Sequence, residues 1–167
     1  MGGLRCALRY IRQDRMKKVL VTAALLSICS NIFALGEEKN ELLFEKAKIL
    51  ADQGNAEAQF IVGAMYSVGD GVSQDVTRAV RWLQLSAKQE VVAAHRTLGT
   101  MYALGYGGAQ SNILAFAWFA IGAALGDEVA AEFRDAAVNT LSTAEREIAT
   151  NLALKCYRSD YETCTPE

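Results

Sequence analysis

The sequence predicts an all-α chain, a short solenoid of about seven helices in antiparallel pairs. Three observations predict it. The 167 residues contain one Pro, at Pro166, so nothing in the body of the chain breaks helix. Alanine, the best helix former, is abundant. Shifting the sequence by 36 residues superimposes ten identities, including both tryptophans: Ala58/Ala94, Gly63/Gly99, Met65/Met101, Tyr66/Tyr102, Gly69/Gly105, Gly71/Gly107, Gln74/Gln110, Ala79/Ala115, Trp82/Trp118 and Ala87/Ala123. A fixed period of this size marks stacked helical units that bury their apolar faces only against their neighbours.

The elements follow in order. Residues 1–36 read as a secretory signal peptide. Met16-Lys17-Lys18 is a basic start, Val19 to Leu35 is an apolar run, and Gly36-Glu37-Glu38 is the exit. Cleavage is expected after Gly36, with Ala34 as the second choice. Residues 1–15, with Arg5, Arg9, Arg12 and Arg15, are either a long basic region or a start assigned too early, Met16 being the alternative start. The competing assignment is an uncleaved membrane anchor, since the run is about 17 residues, at the lower edge of what spans a bilayer. A lipid-modified Cys29 would need a small residue before it, and Ile28 stands there.

The expected mature domain, residues 37–167, opens with a helix over residues 38–53, the second half of an earlier unit. Two full units follow, about residues 55–90 and 91–126. Each is helix, loop, helix. In the first, Ala58, Val62, Gly63 and Tyr66 share one helical face, Gly69-Asp70-Gly71 breaks it, and Asp75 caps the second helix. Ser111 takes the place of Asp75 in the second unit. Residues 127–139 begin a third unit. Ser142-Thr143-Ala144-Glu145 is a capping box that starts a last helix running to about Tyr157. Gly63 and Gly99 lie inside helices, where each costs about 1 kcal/mol relative to Ala. Close approach of two helices offsets that cost, with Trp82 or Tyr66 expected to fill the space beside the glycine. Gly71 and Gly107 serve turns.

Apolar residues make up 51% of the chain and charged residues 22%, which describes a globular protein. Residues 37–167 carry 11 Lys+Arg and 18 Asp+Glu, a net charge of −7. That excess argues against nucleic acid and against an anionic membrane surface as partners. No stable membrane insertion is expected once the signal is removed. Cys156 and Cys164, eight apart, are the two cysteines of this domain and predict a disulfide in an oxidising compartment. Closing that loop contributes roughly 2.5 kcal/mol on the chain-entropy estimate. Two free thiols in a cytosolic chain are the alternative.

The pattern Ala56-x-Ala58-Gln59, Gly63-x-x-Tyr66-x-x-Gly69-x-Gly71-Val72, Ala79-x-x-Trp82 and Ala87 resembles the Sel1-like repeat, a relative of the tetratricopeptide repeat (TPR). The resemblance covers roughly residues 42–155. It implies a short right-handed, TPR-like α-solenoid, and it implies a binding role without naming a partner. The second unit departs from the pattern at Gly108 where Val72 stands in the first, at Ser111 for Asp75, and at His95 for Gln59. The first two departures predict a weaker, more mobile loop.

No catalytic constellation is present in the sequence. His95 is the single histidine, no nucleophile elbow occurs, and the glycine-rich segments lack the Lys-Ser/Thr of a phosphate loop. His95 is expected to be a polar packing residue. No cofactor and no metal site is expected. In solenoids of this class the first helix of each unit lines the concave side, so the candidate binding row is Glu57, Phe60 and Ile61 from the first unit, Arg96, Thr97 and Thr100 from the second, and Glu132 and Phe133 from the third. Apolar side chains beside one cation and one carboxylate suit a peptide or helix. The expectation is a periplasmic or secreted monomer that binds another protein as an adaptor or inhibitor. An enzyme acting on cell-wall fragments and a structural subunit of an envelope complex are the rival expectations.

Overall fold

Five side chains start five helices. Asn55, Asp75, Ser111, Asp127 and Ser142 each accept the backbone N–H of the residue three positions on, at 2.9, 2.9, 3.3, 3.1 and 3.3 Å. Each such cap contributes on the order of 1 kcal/mol by satisfying a donor the helix cannot. The computed structural model describes residues 39–106, 110–159, 161 and 164. The expected signal peptide and the loop residues Gly107 and Gly108 lie outside these. The chain divides into two units at Asn40/Glu41, and the repeats belong to the second.

Seven helices and no strands are found among the described residues. They are α1 (residues 39–52), α2 (Ala56–Val68), α3 (Val76–Ala87), α4 (Val92–Leu104), α5 (Asn112–Ala124), α6 (Glu128–Val138) and α7 (Thr143–Arg158). Helices α2 and α3 form one antiparallel pair and α4 and α5 a second. Helix α3 stacks on α4, and α5 stacks on α6. The result is an α-solenoid whose main apolar core runs from Phe44 in α1 to Cys164, with a smaller cluster of Phe116, Leu141 and Ala149 beside it.

The recurring turn of each unit has a local cause. Gly69 and Gly105 end α2 and α4 in the left-handed conformation, with φ of 77° at both. Beyond each, the repeated glutamine turns back to the helix end. Gln74 Nε2 donates to the Ser67 carbonyl and Gln110 Nε2 to the Ala103 carbonyl, each at 2.8 Å. Those carbonyls are among the orphan acceptors at a helix C-terminus. The start of α4 is different. Val91 offers no capping side chain, and Glu90 before it has φ of 61°. Gly54 and Gly126, one period to either side, hold the same left-handed conformation at 89° and 97°.

The glycines inside helices do mark close helix approach, but the filling residue is not the expected one. A Cβ on Gly63 would lie 2.8 Å from Leu83 Cγ, and one on Gly99 would lie 2.6 Å from Phe119 Cδ1. The neighbour is therefore the residue after each tryptophan. Trp82 and Trp118, equivalent in the repeat, sit in unlike places. Trp82 is half-buried beneath the Lys48 ammonium of α1, 5.0 Å from its ring centre. Trp118 is fully buried and stacked on Tyr161, with ring centres 5.6 Å apart and planes within 8°.

Helix α7 departs from the period. It starts five residues early, on the expected capping box, in which the Ser142 hydroxyl and amide hold the Glu145 carboxyl below the usual carboxylate range. Its principal contacts are with α5. After it the chain turns back. Cys156 and Cys164 are joined, with Cα atoms 4.9 Å apart, and the turn between them seats Tyr161 in the core.

Candidate functional site

Three first-type helices, α2, α4 and α6, border a groove of about 450 Å³. Ser67, Val68 and Gln74 form one wall, Thr97, Thr100, Met101, Leu104 and Tyr106 the floor, and Phe133 the far wall, with Arg96 at one end. Val68, Leu104, Tyr106 and Phe133 are exposed apolar side chains. Phe133 is held in place edge-on to Phe119, ring centres 5.4 Å apart.

The groove's polar groups are largely engaged within the fold. The Thr97 hydroxyl donates to the Ala93 carbonyl at 2.8 Å and the Thr100 hydroxyl to the Arg96 carbonyl at 2.9 Å. Arg96 Nη1 donates to both carboxylate oxygens of Asp127, at 2.9 and 2.8 Å. Asp127 is also the N-cap of α6, and its side chain is only 7% exposed against 34% for Arg96. Arg96 thus ties α4 to the start of α6. The equivalent pair one period earlier is Phe60 and Val91, two half-buried apolar residues that pack against the core. The ion pair has taken the place of an apolar one.

Of the eight predicted residues, the groove brings together Arg96, Thr97, Thr100 and Phe133. Glu57, Phe60, Ile61 and Glu132 do not line it. Phe60 is packed against the core, and Ile61 is exposed on α2. Val68 and Leu104 line the groove but fall outside the predicted row. They stand 36 residues apart at the last position of α2 and α4, and each is large, apolar and exposed. A large apolar residue recurring outside the core stripe was the available signal.

His95 is fully buried. Its Nδ1 lies 3.2 Å from the Val91 carbonyl, an acceptor only, so Nδ1 carries the proton. Nε2 then accepts from the Tyr161 hydroxyl at 2.9 Å. Burial holds the imidazole below the usual histidine range, with backbone hydrogen bonds at Val91 and Val92 opposing. In the first unit Gln59 stands here, donating to the Ala51 carbonyl and accepting from Gln89. The change to His matches the change of neighbour to Tyr161. Among the described residues no three His, Cys, Asp or Glu side chains are grouped to hold a metal ion. None of the described helices is long and apolar enough to cross a membrane.

A family model for the Sel1 repeat matches residues 56–91 and 92–127, the two units whose turns and glycine contacts repeat in the fold. Residues 56–127 are two Sel1 repeats. Sel1 repeats build helical protein-interaction modules. Among solved structures, the chain is similar to a protective antigen present in uropathogenic Escherichia coli strains, which displays an SLR fold. The two are 28% identical over 75% of this chain and 27% of that one, with a TM-score of 0.69. A Sel1 repeat protein from Oxalobacter formigenes is 22% identical over 72% of this chain and 57% of that one, with a TM-score of 0.48. The chain therefore spans about a quarter of the length of the first relative and little more than half of the second. No curated protein matches the chain.

Proposed function

We propose that this chain is an exported, non-catalytic adaptor or inhibitor that seats a peptide or helix of its partner protein in the groove across α2, α4 and α6. The observation that carries the reading is the row Val68, Leu104, Tyr106 and Phe133, four exposed apolar side chains around one concavity. Hydroxyls and a guanidinium that already have intramolecular partners suit contact through shape and apolar area rather than through acid–base chemistry. The net charge of −7 over residues 37–167 favours a protein partner over nucleic acid. Export rests on the basic, apolar and small-residue order of residues 16–36 and on the Cys156–Cys164 pair. We place the protein in the periplasm or outside the cell, as a monomer apart from its partner.

The test is capture of the partner from a periplasmic extract, with the native chain beside Thr100→Arg and Phe133→Asp variants. One stoichiometric partner, lost in both variants, supports the reading. A partner kept by both variants, or none captured, overturns it. Arg96 is avoided because its loss would release the cap of α6. Sequencing the N-terminus of the recovered chain checks export, with Glu37 expected.

A further inference from the structure

Trp118 and His95 belong to the second repeat, but the side chain that covers them does not. In the first repeat Trp82 lies under Lys48 of α1, and Gln59, the equivalent of His95, accepts from Gln89. Over Trp118 and His95 lies Tyr161, from beyond the last helix. Its ring stacks on Trp118 and stands edge-on to Tyr157. Its hydroxyl donates to His95 Nε2 and its amide to the Cys156 carbonyl, each at 2.9 Å. Past α7 the described side chains that reach the core are Tyr161 and Cys164, and Cys164 is tied back to Cys156.

This closed arrangement is unfavourable at two points. Tyr161 has φ of 65°, a left-handed conformation that a bulky side chain rarely adopts. Trp118 Nε1 is buried and finds no acceptor among the described residues. An unpaired buried donor opposes the packing that buries it. Strained features of this kind persist only where the surrounding structure enforces them, and they gather at switches. The helices, by contrast, do not need the Tyr161 turn. Helix α7 has its own hold on α5, through the cluster of Phe116, Leu141 and Ala149 and through buried Ala153, and its own capping box at Ser142. In a solenoid such interactions are local, so the repeats do not unwind when an end segment leaves.

We infer that the Cys156–Cys164 bond is a redox-sensitive latch. Oxidised, it holds Tyr161 over Trp118 and His95 against the strain at Tyr161 and the unpaired indole N–H. Reduced, it lets the Tyr161 turn leave and opens the face made by Trp118 and His95, while the helices stay folded. The reductant is a dithiol. Its thiolate attacks one sulfur, the S–S bond breaks, and its second thiol resolves the mixed disulfide. Cys156 and Cys164 each end as a thiol carrying a proton, and the dithiol, having given up two electrons, ends as a disulfide. Both sulfurs belong to residues only 1% exposed, so a thiolate reaches them as the turn opens, and release follows the reductant slowly. The latch shares no residue with the groove across α2, α4 and α6 and does not depend on it.

The test uses the full chain with Trp82→Phe, which leaves Trp118 as its sole tryptophan. Acrylamide quenching of its fluorescence reads the cover over the indole, and far-UV circular dichroism reads the helices. Dithiothreitol, and separately Cys164→Ser, should raise the quenching constant several-fold with helix content kept. Reoxidation of the dithiothreitol-treated chain should restore the starting value. Tyr161→Ala with the bond intact should raise quenching to a similar level, which assigns the cover to this ring. Quenching that neither dithiothreitol nor Cys164→Ser changes overturns the proposal, because Tyr161 then stays seated without the bond. Helix lost together with the cover also overturns it, making the bond a staple of the whole fold. So does a rise that reoxidation fails to reverse, or a Tyr161→Ala chain that quenches like the native one.

Discussion

The Tyr161 hydroxyl donates to His95 Nε2 across 2.9 Å and 66 positions of sequence, and both side chains are buried. This bond fastens the turn closed by Cys156 and Cys164 to the second repeat, with the Tyr161 ring stacked on Trp118. Tyr161→Phe keeps the ring and leaves His95 Nε2 buried without a donor. A loss of about 1–3 kcal/mol is expected, read as a lower urea midpoint with an unchanged m-value. No change would show that the hydroxyl bond does not hold the turn.

The same histidine makes stability depend on pH. Its folded value is depressed by burial below the unfolded one, so the unfolded chain takes up the proton first. The stabilisation is therefore fully present above the unfolded value, near pH 6.5, and is lost as pH falls below it toward the folded value. Urea midpoints at pH 8 and at about pH 5.5, above the main carboxylate range, should differ in that direction. His95→Gln, the residue of the first unit, should flatten the difference. An equal slope in that variant would assign it to other groups.

Gly99→Ala should destabilise the chain even though Ala is the better helix former by about 1 kcal/mol. Its Cβ would meet Phe119 Cδ1 at 2.6 Å, and moving a buried ring costs about 1–3 kcal/mol. Thermal unfolding of this variant beside Gly99→Ala/Phe119→Leu checks the cause, because the smaller side chain should recover part of the loss.

Glu90→Gly should stabilise. Glu90 holds φ of 61° where its two repeat equivalents are glycine. A left-handed non-glycine residue costs roughly 1–2 kcal/mol, and the added backbone freedom of Gly offsets about half of that. A rise in melting temperature is expected, and a fall would mean that the Glu90 side chain has a role of its own.

Arg96 and Asp127 form a pair whose worth can be isolated. Arg96→Phe alone leaves a buried carboxylate at the cap of α6 and should cost about 1–3 kcal/mol. Arg96→Phe with Asp127→Val recreates the apolar pair of the first unit, Phe60 and Val91, while giving up a cap worth about 1 kcal/mol. The double variant should be more stable than the sum of the singles, measured as a double-mutant cycle. Strict additivity would sink the coupling.

Much of this architecture is legible without coordinates. The caps Asp75, Ser111 and Ser142, the turns after Gly69 and Gly105, and the period of 36 depend on residues a few positions apart, and the helices start where those side chains say. The candidate groove was half legible. Thr97, Thr100 and Phe133 follow from helix facing alone, whereas Val68 and Leu104 depend on where the turns leave each helix end.

By itself the sequence determined the helices, their pairing into units and the repeat they share, because capping, glycine conformation and periodicity are local properties. Only the tertiary structure decided which side chain meets each helix glycine, that Arg96 is spent on Asp127, and that Tyr161 covers Trp118 and His95. Those contacts join residues 20 to 66 positions apart. They are set by packing geometry between helices, which no local pattern of residue types encodes.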